Sequence, residues 1–154
     1  IDTDRIIAGK YTKTLNHQDL ADHVLEDLDV DFRSKLGKGD ILVAGTNYGC
    51  GSSREQAPLA LKVAGVSAGV ATYFARIFFR NAINIGLPVL EVPDLEADSG
   101  DEVEIDLEAG VVKNLTKNTE YKASAMPQVM IDILDQGGLV AYLKKNGTYD
   151  ASAL

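Results

Sequence analysis

Two adjacent serines and an arginine, Ser52-Ser53-Arg54, lie in a run from Asn47 to Glu55 (NYGCGSSRE) that also holds Gly49, Cys50 and Gly51. The run falls between a strand-like segment and a helix-like one. A turn of that kind exposes backbone N–H groups at the positive end of a helix dipole, which suits an anionic ligand. The serines add hydroxyls, and Arg54 adds a planar fork that matches a carboxylate. The chemistry on offer is therefore the capture of an organic acid, with a hydroxyl close by.

Competing uses of the same residues are concrete. Ser52-x-x-Glu55 and Ser53-x-x-Gln56 both fit the capping-box pattern, so either serine could simply start a helix. One helix needs one cap, however, and Pro58 disfavours helix at Ala57 while suiting a first turn. A helix that starts later leaves both serines and Arg54 in irregular chain. The run lacks the hydrolase G-x-S-x-G pattern and the phosphate-loop G-x-x-x-x-G-K-[ST] pattern. Cys50 beside a helix start could be an activated thiolate. A Cys–His pair would need tertiary chance, because His17 and His23 both fall far upstream in one expected helix. Spaced six apart, they do not share the i,i+4 face that binds metal, and both are expected at the surface.

The elements that must position this run alternate between strand and helix. Residues 1–14 read as loop with a short apolar stretch. Asn16 can cap a helix over 17–28, where Leu20, Val24, Leu25 and Leu28 recur at helical spacing. A shorter helical piece, 29–36, ends at Gly37. Residues 40–44 form a buried strand that runs into the glycine–serine loop. A helix then continues to about Ala64 and stops at Gly65. Residues 67–72 are the next strand, 74–85 the next helix, closed by Gly86, and 88–92 a third strand. Alternation of Val103, Ile105 and Leu107 with Glu104 and Asp106 marks a half-exposed strand. Strands at 111–115 and 119–123 follow, then helices at 127–136 and 138–146 broken at Gly137-Gly138. The expected class is α/β, with parallel right-handed crossovers in the first two thirds, antiparallel strands after, and a mixed sheet in layers. One domain is expected over 1–154.

Composition sets limits. The chain has 154 residues and a formal net charge of −8, which disfavours nucleic acid and anionic membranes as partners. An anionic substrate would need a local positive pocket. No apolar run approaches the length that spans a bilayer, and nothing reads as a secretion signal. The single cysteine excludes an internal disulfide and falls far short of an iron–sulfur or zinc cage. A free thiol fits a reducing cytoplasm.

Tyr48-Gly49-Cys50-Gly51-Ser52-Ser53-Arg54-Glu55 resembles the signature loop of the aconitase-family swivel domain. Asp2-Thr3-Asp4-Arg5-Ile6-Ile7 with Tyr11-Thr12-Lys13-Thr14 is similar to the family's N-terminal substrate loop. Phe74–Pro88 (FARIFFRNAINIGLP) is similar to its second signature block. The three blocks stand in family order over residues 1–92, while the tail agrees more loosely. The resemblance is nearest to the separate small subunits of the isopropylmalate dehydratase and homoaconitase type. Relatives usually carry a short strand before the first block, so residues upstream of Ile1 are expected to be missing.

The resemblance implies a layered β/β/α swivel domain and half of a hydro-lyase. It implies that a large partner subunit carries a 4Fe–4S cluster and that this chain binds neither cofactor nor metal. It implies dehydration and rehydration of a 2- or 3-hydroxy di- or tricarboxylic acid, with Ser52 as general base. Ser53 and Arg54 would bind a carboxylate, with Gly51, Lys13 and Thr14 among the substrate contacts and Asn47, Gly49 and Cys50 supporting the loop. Isomerisation of isopropylmalate, in leucine biosynthesis, is the first substrate reading; homoaconitase and 2,3-dimethylmalate dehydratase are alternatives. Lys13 stands where homoaconitase-like members carry an arginine for the distal carboxylate, and it could equally extend to solvent. Gln56 replaces a histidine common in the family, so a positioning role is expected there. Arg76 and Arg80, one turn apart, read as solvated cations or as contacts to the loop or large subunit, outside catalysis. The isolated chain is expected to lack activity. The alternative of another class is a non-catalytic, ligand-sensing swivel module.

Overall fold

The computed structural model of the chain describes residues 1–147; the last seven residues of the expected single domain lie outside that range. Three parallel strands, β1 (Ile41–Ala44), β2 (Ala68–Ala71) and β3 (Val89–Glu91), pair in the order β1-β2-β3. The register sets Ile41 beside Ala68 and Val70 beside Leu90. Three antiparallel strands, β4 (Val103–Asp106), β5 (Val111–Asn114) and β6 (Thr119–Lys122), form a second sheet. Parallel crossovers thus come first and antiparallel pairing after, as the sequence implies. The two kinds of pairing are divided between two sheets.

Strand periodicity explains the layering. Side chains alternate across a sheet, and β2, the central strand, is buried at all four positions. Val70 and Leu90 face one way, packing with Val112 of the antiparallel sheet. Ala71 and Val89 face the other way, into a core built from Ile6, Leu61, Phe74, Phe78 and Ile83. The order of layers is sheet, sheet, helices.

The helices are α1 (Thr3–Ile6), α2 (His17–Asp22), α3 (Phe32–Lys35), α4 (Gln56–Ala64), α5 (Arg76–Asn84), α6 (Gln128–Asp135) and α7 (Leu139–Asn146). Helix α4 stops at Gly65, which adopts φ +109°. Three expectations need correction. The helix expected over 17–28 ends at Asp22, because Leu25 takes φ +55° and donates its N–H to Ile6 O at 2.8 Å. Burial of Leu25 (2% exposed) in the core offsets a left-handed conformation that costs about 1–2 kcal/mol. The piece expected over 29–36 is a single turn, α3. Residues 1–14 hold more structure than a loop: α1 is capped by Asp2, whose Oδ1 accepts from Arg5 N at 3.0 Å, and Gly9–Tyr11 forms a 3₁₀ turn.

Candidate functional site

The first segment of chain is laid against the glycine–serine loop by backbone bonds. Gly49 N donates to Ile1 O (2.8 Å) and Thr3 N to Cys50 O (2.9 Å). Buried Thr3 donates its hydroxyl to Ser52 O at 2.9 Å. On the other side the loop is tied to the segment before α5: Tyr48 N donates to Tyr73 O and Ala75 N to Tyr48 O. The loop is therefore clamped between two segments remote in sequence.

Glycine is required where this clamp is tightest. Gly49 has φ +82°, and a Cβ there would lie 2.2 Å from Phe78 Cγ. Tyr48, Phe74 and Phe78 pack beneath as an aromatic cluster, Tyr48 meeting both phenylalanines edge-on. The Tyr48 hydroxyl is buried without a hydrogen-bond partner among the described residues, and burial pushes its phenol far above the usual range.

Helix α4 begins only at Gln56, and its N-cap position, Glu55, makes no side-chain capping bond. Neither capping box forms. Ser52 and Ser53 are exposed in irregular chain, and neither hydroxyl has a hydrogen-bond partner among the described residues. Pro58 is the third residue of the helix, where no N–H is needed.

Arg54 is the fixed member of the trio. Its Nη2 pairs with Asp4 Oδ1 at 2.6 Å. Its Nη1 is buried without an acceptor among the described residues and lies against Gly9, where an added Cβ would stand 3.2 Å away. An unpaired buried guanidinium N–H is costly. Arg54 thus faces the first loop, which carries Lys13 and Thr14. Gln56 Nε2 reaches Thr12 O of that loop at 3.4 Å.

The first loop is held from behind. Tyr11 stacks on His23 with ring centroids 3.9 Å apart. Tyr11 Oη donates to Glu26 Oε1, and His23 Nδ1 lies 2.7 Å from Glu26 Oε2. These bonds, from His23 first and Tyr11 second, hold the Glu26 carboxyl below the usual range. His17 is exposed as expected, whereas His23 is half-buried in this clasp, and no hydrogen bond joins either histidine to Cys50 among the described residues. Lys13 is exposed. The Thr14 hydroxyl donates to Asp19 Oδ2 and accepts from Asn16 N, so it is engaged within the loop.

Behind the serines, Asn47, Gly49, Cys50 and Gly51 line a cleft of about 480 Å³ whose opposite wall includes Tyr73 and Arg80. Sequence reasoning named the loop residues and overlooked Tyr73. It noted Arg76 and Arg80 by their spacing, but their place on this wall follows from tertiary pairing of Tyr48 with Phe74.

Residues 3–95 match the family described as the aconitase C-terminal domain. The chain belongs to that family. Among its relatives, 3-isopropylmalate dehydratase small subunit 2 of Archaeoglobus fulgidus is 56% identical over 96% of this chain and 90% of its own. The methanogen homoaconitase small subunit of Methanothermobacter thermautotrophicus is 54% identical over 94% of this chain and 85% of its own. A crystal structure of 3-isopropylmalate dehydratase from Methanocaldococcus jannaschii superposes with a TM-score of 0.89 at 46% identity, covering 95% of this chain and 87% of that one. The layered fold of this aconitase-family chain is therefore that of a dehydratase small subunit.

Proposed function

We propose that the chain is the small subunit of 3-isopropylmalate dehydratase, a hydro-lyase that interconverts 2- and 3-isopropylmalate by removing water and adding it back at the neighbouring carbon. Near-complete coverage by relatives so named supports the reaction class. The similar identity to a homoaconitase small subunit leaves the substrate to be decided by the first loop. A large-subunit partner follows from the same naming, and the single free thiol suits the cytoplasm. Among the described residues no helix is long and apolar enough to cross a membrane.

The observation that carries the residue assignment is the loop itself: two serine hydroxyls that cap nothing, beside an arginine locked in place. Arg54 and Ser53 would take the substrate carboxylate, the buried Nη1 gaining the acceptor it lacks. Ser52 would remove the proton from the carbon next to that carboxylate. A serine is a poor base unless its alkoxide is stabilised. Arg54 and the backbone N–H groups near the helix start supply positive potential, though an exposed loop leaves it screened by water. A partner that covers Ser52 would strengthen this field.

An iron–sulfur cluster is held by several thiolates, and this chain has only Cys50. Its residues do not fit a cluster of their own, so the Lewis acid that makes hydroxide a leaving group is assigned to the large subunit. The test is reconstitution. The assembled pair should generate the C=C absorbance of the unsaturated acid from isopropylmalate in preference to homocitrate and dimethylmalate, and this chain alone should not. Turnover by the isolated chain would refute the assignment.

A further inference from the structure

We infer that the face formed by Tyr73, Arg76, Ile77 and Arg80 is a docking surface for the large subunit and that it receives an acidic, partly apolar segment. The inference rests on the functional reading above, which calls for such a partner. Arg76 is the first residue of α5 and Arg80 lies one turn on. Both are exposed, and neither has an ion-pair partner among the described residues. That arrangement is locally unfavourable. A cation at the start of a helix opposes its dipole, and like charges at i,i+4 repel.

A chain of net charge −8, with 23 acidic residues against 15 basic, has carboxylates to spare. Arg5 and Arg54 each take one, from Asp27 and Asp4. Leaving Arg76 and Arg80 uncompensated makes a positive spot on an acidic molecule. Apolar surface lies in the same place: Ile77 is 50% exposed and Tyr73 44%. Tyrosine and arginine around an exposed aliphatic side chain match the centre of protein–protein interfaces. The same wall bounds the cleft against Cys50 and Gly51, immediately before Ser52. A subunit that covers Ser52 therefore reaches this face without leaving the surface. Arg54 turns the other way, toward Asp4 and Gly9, so the carboxylate grip for a small substrate is separate from the cleft.

The test measures the affinity of the complete chain for the large subunit at low and high salt, with the steady-state kinetics of the assembled pair. Arg76→Glu/Arg80→Glu should weaken assembly by about tenfold or more and remove much of its salt dependence. Arg76→Lys/Arg80→Lys should keep most of both, and Ile77→Asp should weaken assembly at any salt. At saturating large subunit, KM for the hydroxyacid should be unchanged in all three. In urea unfolding the double charge reversal should be no less stable than the wild type, since acids at the start of α5 suit the dipole that the arginines oppose, and the other two variants should keep a cooperative transition. Wild-type affinity in the double charge reversal would overturn the docking surface. So would normal assembly with a raised KM, which would make the cleft a substrate subsite. If the wild-type chain does not bind the large subunit, the functional reading fails as well. If it binds through this face without hydroxyacid turnover, only that reading fails.

Discussion

Replacing Gly49 by alanine should be far more damaging than the same change two residues on, at Gly51. Both glycines have positive φ, +82° and +94°, so each alanine carries the left-handed penalty of about 1–2 kcal/mol. Space separates them. At Gly51 the nearest atom to an added Cβ is Asp2 Cβ at 3.5 Å, an ordinary contact. At Gly49 the new Cβ would sit 2.2 Å from Phe78 Cγ and 2.5 Å from Phe78 Cβ. No rotamer of Phe78 moves its Cβ, so the loop or α5 must shift. Overpacking of that kind adds roughly 1–3 kcal/mol. Gly49→Ala should therefore cost about 2–5 kcal/mol and Gly51→Ala only the backbone part. Urea unfolding of the isolated chain measures both through the midpoint at constant m-value. Equal losses at the two sites, or a loss under about 1 kcal/mol at Gly49, would refute the claim that the loop is seated directly on Phe78.

Other outcomes follow from the same contacts. Tyr48→Phe removes a buried hydroxyl with no partner and should stabilise the chain by roughly 1 kcal/mol in urea unfolding; destabilisation would mean that the phenol is paired. The Glu26 carboxyl, held below its usual value of 4.5 mainly by His23 and then Tyr11, binds fewer protons folded than unfolded. Its stabilising contribution is thus full above that value and is lost as pH falls through the folded pKa. Stability of the wild type relative to Glu26→Gln should shrink as pH falls through the acid range, and a difference independent of pH would count against the clasp. Lys13→Leu should move the assembled enzyme's preference toward alkyl malates, and unchanged kinetics across a hydroxyacid panel would remove Lys13 from the site.

What the sequence disclosed was mainly local. Pro58 already argued that α4 starts after the serines, and Gly65 marked its end. Burial and alternation separated the parallel strands from the antiparallel ones. The misses are tertiary. Helix α2 stops early because Leu25 bonds to Ile6, a contact that helical spacing does not encode. Arg54 finds its partner in Asp4, 50 positions away, and the clasp of Tyr11, His23 and Glu26 joins three residues that spacing alone left unrelated. One signal was available and unused: Asp2 as an N-cap for Thr3–Ile6.

The central claim is that a hydroxyl in the clamped loop acts as the base once the large subunit covers it. The most direct test is the turnover number of the assembled pair carrying Ser52→Ala, with subunit affinity measured in parallel. A fall in kcat of roughly 10²–10⁴-fold is expected, with assembly intact and KM little changed. An undiminished kcat in a fully assembled complex would contradict it.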